Sequence, residues 1–273
     1  MELSFTKMAG CGNDFLLVEA ADLAPATDLS ELGRRLCDRQ CGIGADGLIV
    51  LQPPVGPGAD YRVAIVNASG LPAEMCGNGA RCVARYVHDR GLAGATHAFE
   101  TPAGLIRAEV GEGGQVRVEL TEPTAICLNR RIDLDGAVIR LDTVDTGVPH
   151  AVMWVEAVER ADVGGLGPRL RHHPAFAHGT NVNFVEVADA GLAVRTYERG
   201  VEAETLACGT GSAAAAILGH LRGYVDPPVR VRTRHGAVLV IDFAVEDERI
   251  RRVTLAGPTT YICRGQVCAE ILD

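Results

Sequence analysis

Met75-Cys76-Gly77-Asn78-Gly79-Ala80-Arg81-Cys82 and Ala207-Cys208-Gly209-Thr210-Gly211-Ser212-Ala213 are two copies of one motif, with their first cysteines 132 residues apart. The register extends well beyond the glycines. His88 and His220 lie twelve residues after their cysteines, Arg90-Gly91 and Arg222-Gly223 fourteen and fifteen, Thr101 and Thr233 twenty-five, and Gly104 and Gly236 twenty-eight. Upstream, Asn67 and Arg199 each stand nine residues before the cysteine, where the strand-like runs 61–66 and 192–198 end. A unit of strand, glycine-rich loop, helix and further strands is therefore duplicated. This predicts two lobes, 1–121 and 122–262, with the tail 263–273 as a candidate for completing the first.

At 273 residues and 47% hydrophobic, the chain has enough apolar material for one large core or two small ones. A formal charge of −9 and the lack of any Lys/Arg run argue against nucleic acid or an anionic membrane as partner, leaving a small molecule. With no basic leader ahead of an apolar run and no stretch of 18 apolar residues, the chain reads as soluble and cytoplasmic. Nine cysteines is an odd number, which predicts thiols in a reducing compartment, most of them buried as small hydrophobes, and no disulfide framework. The nearest pairs, Cys37 with Cys41, Cys76 with Cys82 and Cys263 with Cys268, lack the close spacing of zinc ligands, so no metal site is predicted.

The coarse pattern alternates short strands with a few helices. A strand over 1–8 leads through a loop at 9–14 into the apolar run 15–18. Asn13, taken alone, reads as a turn residue. Asp28 and Glu31 form a capping box for a helix ending near Arg39. Strands are expected at 48–51 and 61–67, followed by a helix from the first motif to about Arg90, stopped by Gly91. Strands at 97–101, 105–110 and 115–120 close the first repeat, and a boundary is expected near 121–129. The second lobe carries strands near 137–143, 151–156, 180–187 and 192–198, a short helix at 164–173 and a helix at 211–222. His172 and His173 read as solvated. Four consecutive alanines, Ala213 to Ala216, imply strands packed closely around the second helix. The tail 260–271 offers a last strand that returns to the first lobe.

A cysteine at a helix start is a particular chemical object. The unsatisfied N–H groups and the positive end of the helix dipole favour its thiolate, and they equally favour a bound carboxylate. If the repeat brings two such starts to one pocket, a thiolate removes a proton from carbon and a thiol returns one on the opposite face. Such an arrangement inverts a stereocentre without an electron-sink cofactor. The chain's single lysine, Lys7, leaves little scope for Schiff-base chemistry.

At these residues the chain resembles the diaminopimelate epimerase family. Beyond the two cysteine motifs, Gly12-Asn13-Asp14-Phe15, Asn181-Val182-Asn183-Phe184, Tyr197-Glu198-Arg199-Gly200 and Glu204-Thr205-Leu206 carry the resemblance. It implies an α/β protein of the α+β type: two pseudo-symmetric lobes, each a mainly antiparallel sheet wrapped around a central helix, with the active site in the cleft between them. It implies Cys76 and Cys208 as the acid/base pair. Asn13, Asn67, Asn78, Asn181, Glu198 and Arg199 would bind the substrate's amino and carboxyl groups, and Gly77, Gly209 and Thr210 the reacting carboxylate. His150 and Glu198 would support the thiols; read alone, His150 is a turn or core histidine. The resemblance also implies a homodimer, no cofactor, and interconversion of LL- and meso-diaminopimelate.

This chain has Val148 and Gly47 where some members have Asn and Gln. A related racemase of another amino acid, such as histidine, therefore remains the alternative within enzymes. A thiol-based redox or metal-binding protein and a non-catalytic binding protein are the other classes to separate.

Overall fold

Phe15, Leu16, Leu17 and Val18 are all buried, which consecutive strand residues can be only where both faces of their sheet are covered. The computed structural model, which describes residues 3–73 and 75–271 and leaves out the side chain of residue 269, shows what covers them. Leu16 and Val18 pack with Leu32 and Leu36 of one helix. On the other face, Phe15 and Ile49 lie against Gly79 of a second.

The chain divides into two units, one running to Val118 and resuming at Gly257, the other spanning Glu119–Ala256. The first contains β1 (Leu3–Gly10), β2 (Asn13–Glu19), α1 (Leu29–Cys37), β3 (Gly47–Gln52), β4 (Tyr61–Asn67), β5 (Pro72–Ala73), α2 (Gly77–Asp89), β6 (Thr96–Thr101), β7 (Gly104–Val110) and β8 (Gln115–Glu119), at whose end the boundary falls. The second contains β9 (Thr124–Leu134), β10 (Ala137–Asp145), β11 (Pro149–Trp154), α3 (Val163–Arg171), β12 (Asn181–Ala188), β13 (Gly191–Glu198), β14 (Ala203–Thr205), α4 (Gly209–Leu221), β15 (Val229–Thr233), β16 (Val238–Glu246) and β17 (Arg249–Pro258). The tail forms β18 (Thr260–Val267), which pairs antiparallel with β1 in the first unit.

The two units have the same internal wiring. In the first, neighbours run β18-β1-β2-β3-β4-β6-β7-β8, antiparallel except for β2 with β3 and β4 with β6. In the second, β9-β10-β11-β12-β13-β15-β16 repeats that order, with β11–β12 and β13–β15 as the parallel pairs, and β17 continues it antiparallel to β16. Each parallel pair needs a crossover, and each crossover carries a helix: α1 and α3 for the first, α2 and α4 for the second.

Both repeat helices begin and end alike. Cys76 (φ −140°, ψ 113°) and Cys208 (φ −120°, ψ 112°) are extended N-caps whose side chains make no capping bond. At the other end, Gly91 (φ +68°) and Gly223 (φ +73°) take the left-handed conformation that glycine adopts most readily. The next N–H then reaches back, Leu92 to Val87 O at 3.0 Å and Tyr224 to Gly219 O at 2.9 Å, closing the same C-terminal motif twice. Ala213, Ala214, Ala215 and Ala216 have no exposed surface, as expected of a helix enclosed by strands.

Several expectations need correction. The second repeat helix starts at Gly209, not 211, which makes Cys208 its N-cap as Cys76 is for α2. Residues 124–129, expected as a boundary, belong to β9; its first six residues are exposed and Ala125 and Asn129 have positive φ, so no inward/outward alternation marked it. The loop expected at 9–14 is the tight turn Cys11-Gly12 between β1 and β2. Asp28 does cap α1, accepting from Ser30 N and Glu31 N, but the Glu31 carboxylate is taken by Arg34 and Arg35. Burial is not the common fate of the cysteines: Cys41, Cys127, Cys263 and Cys268 are exposed. His173, expected to be solvated, is half-buried, with its Nε2 bonded to Asp133 O and its Nδ1 accepting from Ala175 N.

Candidate active site

In the first unit the site begins at the start of α2. Ala80 N donates to Cys76 O at 2.7 Å, the first bond of the helix, so the amides of Gly77, Asn78 and Gly79 precede the repeating ladder. Nothing lies within 4 Å of where a Cβ on Gly77 would sit, so an anion can approach those amides closely. Cys76 itself is half-buried.

Behind this first turn runs a chain of polar side chains. Asn13 Nδ2 donates to Asp46 Oδ2 at 2.9 Å, Asn78 Nδ2 to Asn13 Oδ1 at 2.6 Å, and Arg81 Nη2 to Asn78 Oδ1 at 2.7 Å. Arg81 also reaches Gly77 O at 3.1 Å and Cys11 Sγ at 3.3 Å. Asp46 is held by Arg39, which also pairs with Asp14. Burial pushes the Asp14 carboxyl up, but Arg39 and Lys7 outweigh it and hold the group below the usual carboxylate range. Asn13 is thus more than a turn residue. Asn67 closes β4 with an exposed side chain, its backbone committed to the turn through Leu71 O and Gly70 N.

The thiols around this turn differ. Burial pushes Cys82 up to about 12 and raises Cys11, with Arg81 opposing in each case. Cys37 is likewise pushed to about 12. These three are packing thiols, inert as bases near neutrality.

In the second unit, Ser212 N and Oγ both donate to Cys208 O, each at 2.9 Å. Cys208 Sγ lies 3.5 Å from Thr210 Oγ1, and Thr146 Oγ1 donates to Thr210 O at 3.3 Å. Below the turn, Asn183 is fully buried, donating to His150 Nδ1 and to Ala151 O while accepting from Thr196 Oγ1. Burial, helped by the charge of Arg199, pushes His150 down to about 3.

Asn181 is buried as well. Its Nδ2 donates to Pro149 O at 3.1 Å and its Oδ1 accepts from Arg199 N at 2.8 Å, so it braces the turn that presents Arg199. Arg199 Nη1 reaches His178 O, and Glu198 Oε2 accepts from Thr205 Oγ1 at 2.8 Å. Each unit therefore groups its own share of the expected residues: Asn13, Gly77 and Asn78 around Cys76 in the first; Gly209 and Thr210 at Cys208, with His150, Asn181, Glu198 and Arg199 on adjoining strand ends, in the second.

Sequence reading did not single out Arg81, Asp46, Asn183 or Thr196. One signal was available for Asn183. With Asn181 it places two asparagines on the same side of a strand otherwise made of Val and Phe, a cost a core strand bears only where the amides are bonded. Among the described residues no group of three His, Cys, Asp or Glu side chains is arranged to hold a metal ion.

The diaminopimelate epimerase family matches residues 5–126 and 143–261. A diaminopimelate epimerase of Aquifex aeolicus is 43% identical across 99% of this chain and 100% of its own length. One from Methanothrix thermoacetophila is 40% identical across 100% and 98%. Among solved structures, a probable proline racemase from Agrobacterium radiobacter superposes with a TM-score of 0.75 over 97% of this chain and 93% of its own, at 19% identity. A protein of the phenazine biosynthesis PhzF family from Enterococcus faecalis gives 0.70 over 98% and 100%, at 14% identity. At such identities these two establish a shared fold.

Proposed function

The chain belongs to the diaminopimelate epimerase family, and from that premise we propose that it interconverts LL- and meso-2,6-diaminopimelate, an isomerase reaction serving lysine and peptidoglycan precursor synthesis. The observation that carries the reading is the repeated cysteine N-cap, present with the same backbone geometry on α2 and α4.

In the proposed reaction one cysteine, as thiolate, takes the α-proton, and the electron pair left on carbon delocalises into the α-carboxylate. First-turn amides of the helices, at Gly77 and Asn78 or at Gly209 and Thr210, stabilise the developing charge. The other cysteine, as thiol, delivers its proton to the opposite face. Protons balance: one arrives on the first sulfur, one leaves the second, and the product has the inverted configuration. No cofactor enters. Asn13, Asn67, Asn78, Asn181, Glu198 and Arg199 are proposed to bind the amino and carboxyl groups, with His150 and Glu198 supporting the thiols. The reaction requires both sulfurs at one α-carbon.

The test is solvent exchange. Purified protein in deuterated water, under reducing conditions and without added cofactor, should place deuterium at the reacting α-carbon of diaminopimelate while converting one stereoisomer to the other. Exchange into histidine with none into diaminopimelate would transfer the reading to a racemase of another amino acid. Activity lost on stripping pyridoxal phosphate and restored by adding it would overturn the mechanism. Family membership also supports a cytoplasmic homodimer, and sedimentation velocity giving only monomer would overturn the dimer.

A further inference from the structure

Arg81 is fully buried in the first turns of α2, and among the described residues no carboxylate lies within ion-pair distance of it. Its hydrogen bonds go to a carbonyl, a sulfur and an amide oxygen, and its Nε has no partner among the described residues. A buried cation with no counter-ion among the described residues is costly to hold there, and an apolar side chain would fill an interior helix position at lower cost. Packing does not account for it.

What Arg81 does have is a single chemical polarity. Guanidinium groups only donate, so the end of Asn78 that faces it must be Oδ1. That turns Asn78 Nδ2 toward Asn13, which must answer with its own Oδ1. Asn13 Nδ2 then faces Asp46, whose ionised carboxylate only accepts. The two amides are fixed between a donor-only residue at one end and an acceptor-only residue at the other. Each spends one N–H on the relay and keeps the second. An amide without such pinning presents oxygen or nitrogen almost equally well, because the two ends have nearly the same shape.

We infer that Arg81 is a positioning residue for the substrate: with Asp46 at the far end of the relay, it sets which face of Asn78, and through it of Asn13, is offered to the bound amino acid. The inference rests on the function proposed above, in which those two asparagines contact substrate. Arg81 touches neither the substrate nor the reacting atoms, and acts by removing the alternative amide orientations.

The experiment pairs kinetics with a substrate-independent reading of the amides. In protein labelled with ¹⁵N-asparagine, the side-chain NH₂ signals of Asn13 and Asn78 should each appear as one pair. In Arg81→Met the Asn78 pair, which loses its donor-only neighbour, should split or broaden more than the Asn13 pair, which Asp46 still pins, while KM for LL-diaminopimelate rises about tenfold and kcat falls less than about threefold. Arg81→Lys, still donor-only, should keep single amide signals and most of the KM, whereas Arg81→Gln, whose amide accepts as well as donates, should not; that pair decides the case if Arg81→Met does not fold. Asn78 amide signals unchanged in Arg81→Met, or scrambled in Arg81→Lys, would overturn the relay. Altered amides with an unchanged KM would overturn the positioning role. If the wild-type enzyme has no activity on diaminopimelate, the functional reading fails, and the amide spectra still decide whether Arg81 holds the relay.

Discussion

Asn183 Nδ2 lies 3.1 Å from His150 Nδ1, and since an amide nitrogen only donates, the ring accepts there and carries its proton on Nε2. With the ring buried and its pKa pushed down to about 3, His150 is neutral near physiological pH and carries its proton on Nε2. Its ¹⁵N imidazole signals should show that tautomer and should not titrate between about pH 5 and about pH 8. The sign of the stability effect follows: the folded value lies below the unfolded one of about 6.5, so stability is present above that pH and falls as protons bind the unfolded chain on the way down. Wild-type protein should therefore lose stability more steeply below about pH 6.5 than His150→Gln. A ring titrating with an ordinary histidine midpoint would contradict this assignment.

Cys76→Ala and Cys208→Ala should each abolish epimerisation with little change in thermal midpoint, since one small side chain at a helix start is removed. Cys→Ser should be nearly as damaging, because a hydroxyl is far harder to ionise than a thiol. With an analogue carrying a leaving group at the β-carbon, elimination needs proton abstraction from one face only. Each single variant should eliminate from one stereoisomer and not from its opposite. Equal elimination from both stereoisomers in both variants would mean that one base serves both faces.

Two glycines of the repeated motif should respond oppositely to alanine. At Gly77 a methyl group meets nothing within 4 Å, so Gly77→Ala should leave the fold as stable or up to about 1 kcal/mol more stable, while blocking the carboxylate and raising KM about tenfold or more. At Gly211 the added carbon would lie 2.3 Å from Asn183 Oδ1, on a side chain held from three sides. Gly211→Ala should cost about 1–3 kcal/mol in urea unfolding. A Gly211 variant as stable as wild type would show that the Asn183 cluster repacks freely.

Asp142 has no exposed surface and accepts from Arg222 Nη2 at 2.6 Å, Trp154 Nε1 at 2.7 Å and Asn129 N at 2.8 Å. Burial raises its pKa, but Arg222, the Asn129 amide and Trp154 outweigh it and hold the group below the ordinary range. The stability it contributes is thus present above an unfolded value of about 3.9 and is lost as pH falls through the lower folded value. Asp142→Ala should destabilise the protein by about 3–5 kcal/mol at neutral pH, since the Arg222 charge and two donors lose their partner. In acid the penalty should shrink. A pH-independent penalty would mean the carboxylate is not ionised in the native state.

The sequence alone determined what depends on short range and on repetition. Two helices starting at glycine-flanked cysteines, their glycine stops, and strands such as β4 and β13 follow from local backbone preference and from hydrophobic runs that need no knowledge of the partner. The spacing of 132 residues then made one unit predict the other. Tertiary structure decided what depends on who lies opposite. β9 escaped notice because its exposed half has no buried face to impose a period, and only pairing with β10 makes it a strand. Burial of the cysteines was set by neighbouring strands, not by residue type, which is why Cys82 is enclosed and Cys263, on the edge strand β18, is exposed. The Asp46-Asn13-Asn78-Arg81 relay joins a residue before β3, the start of β2 and two residues of α2. Nothing in the chain order announces that set, because hydrogen bonds between polar side chains become obligatory only once folding has excluded water from around them.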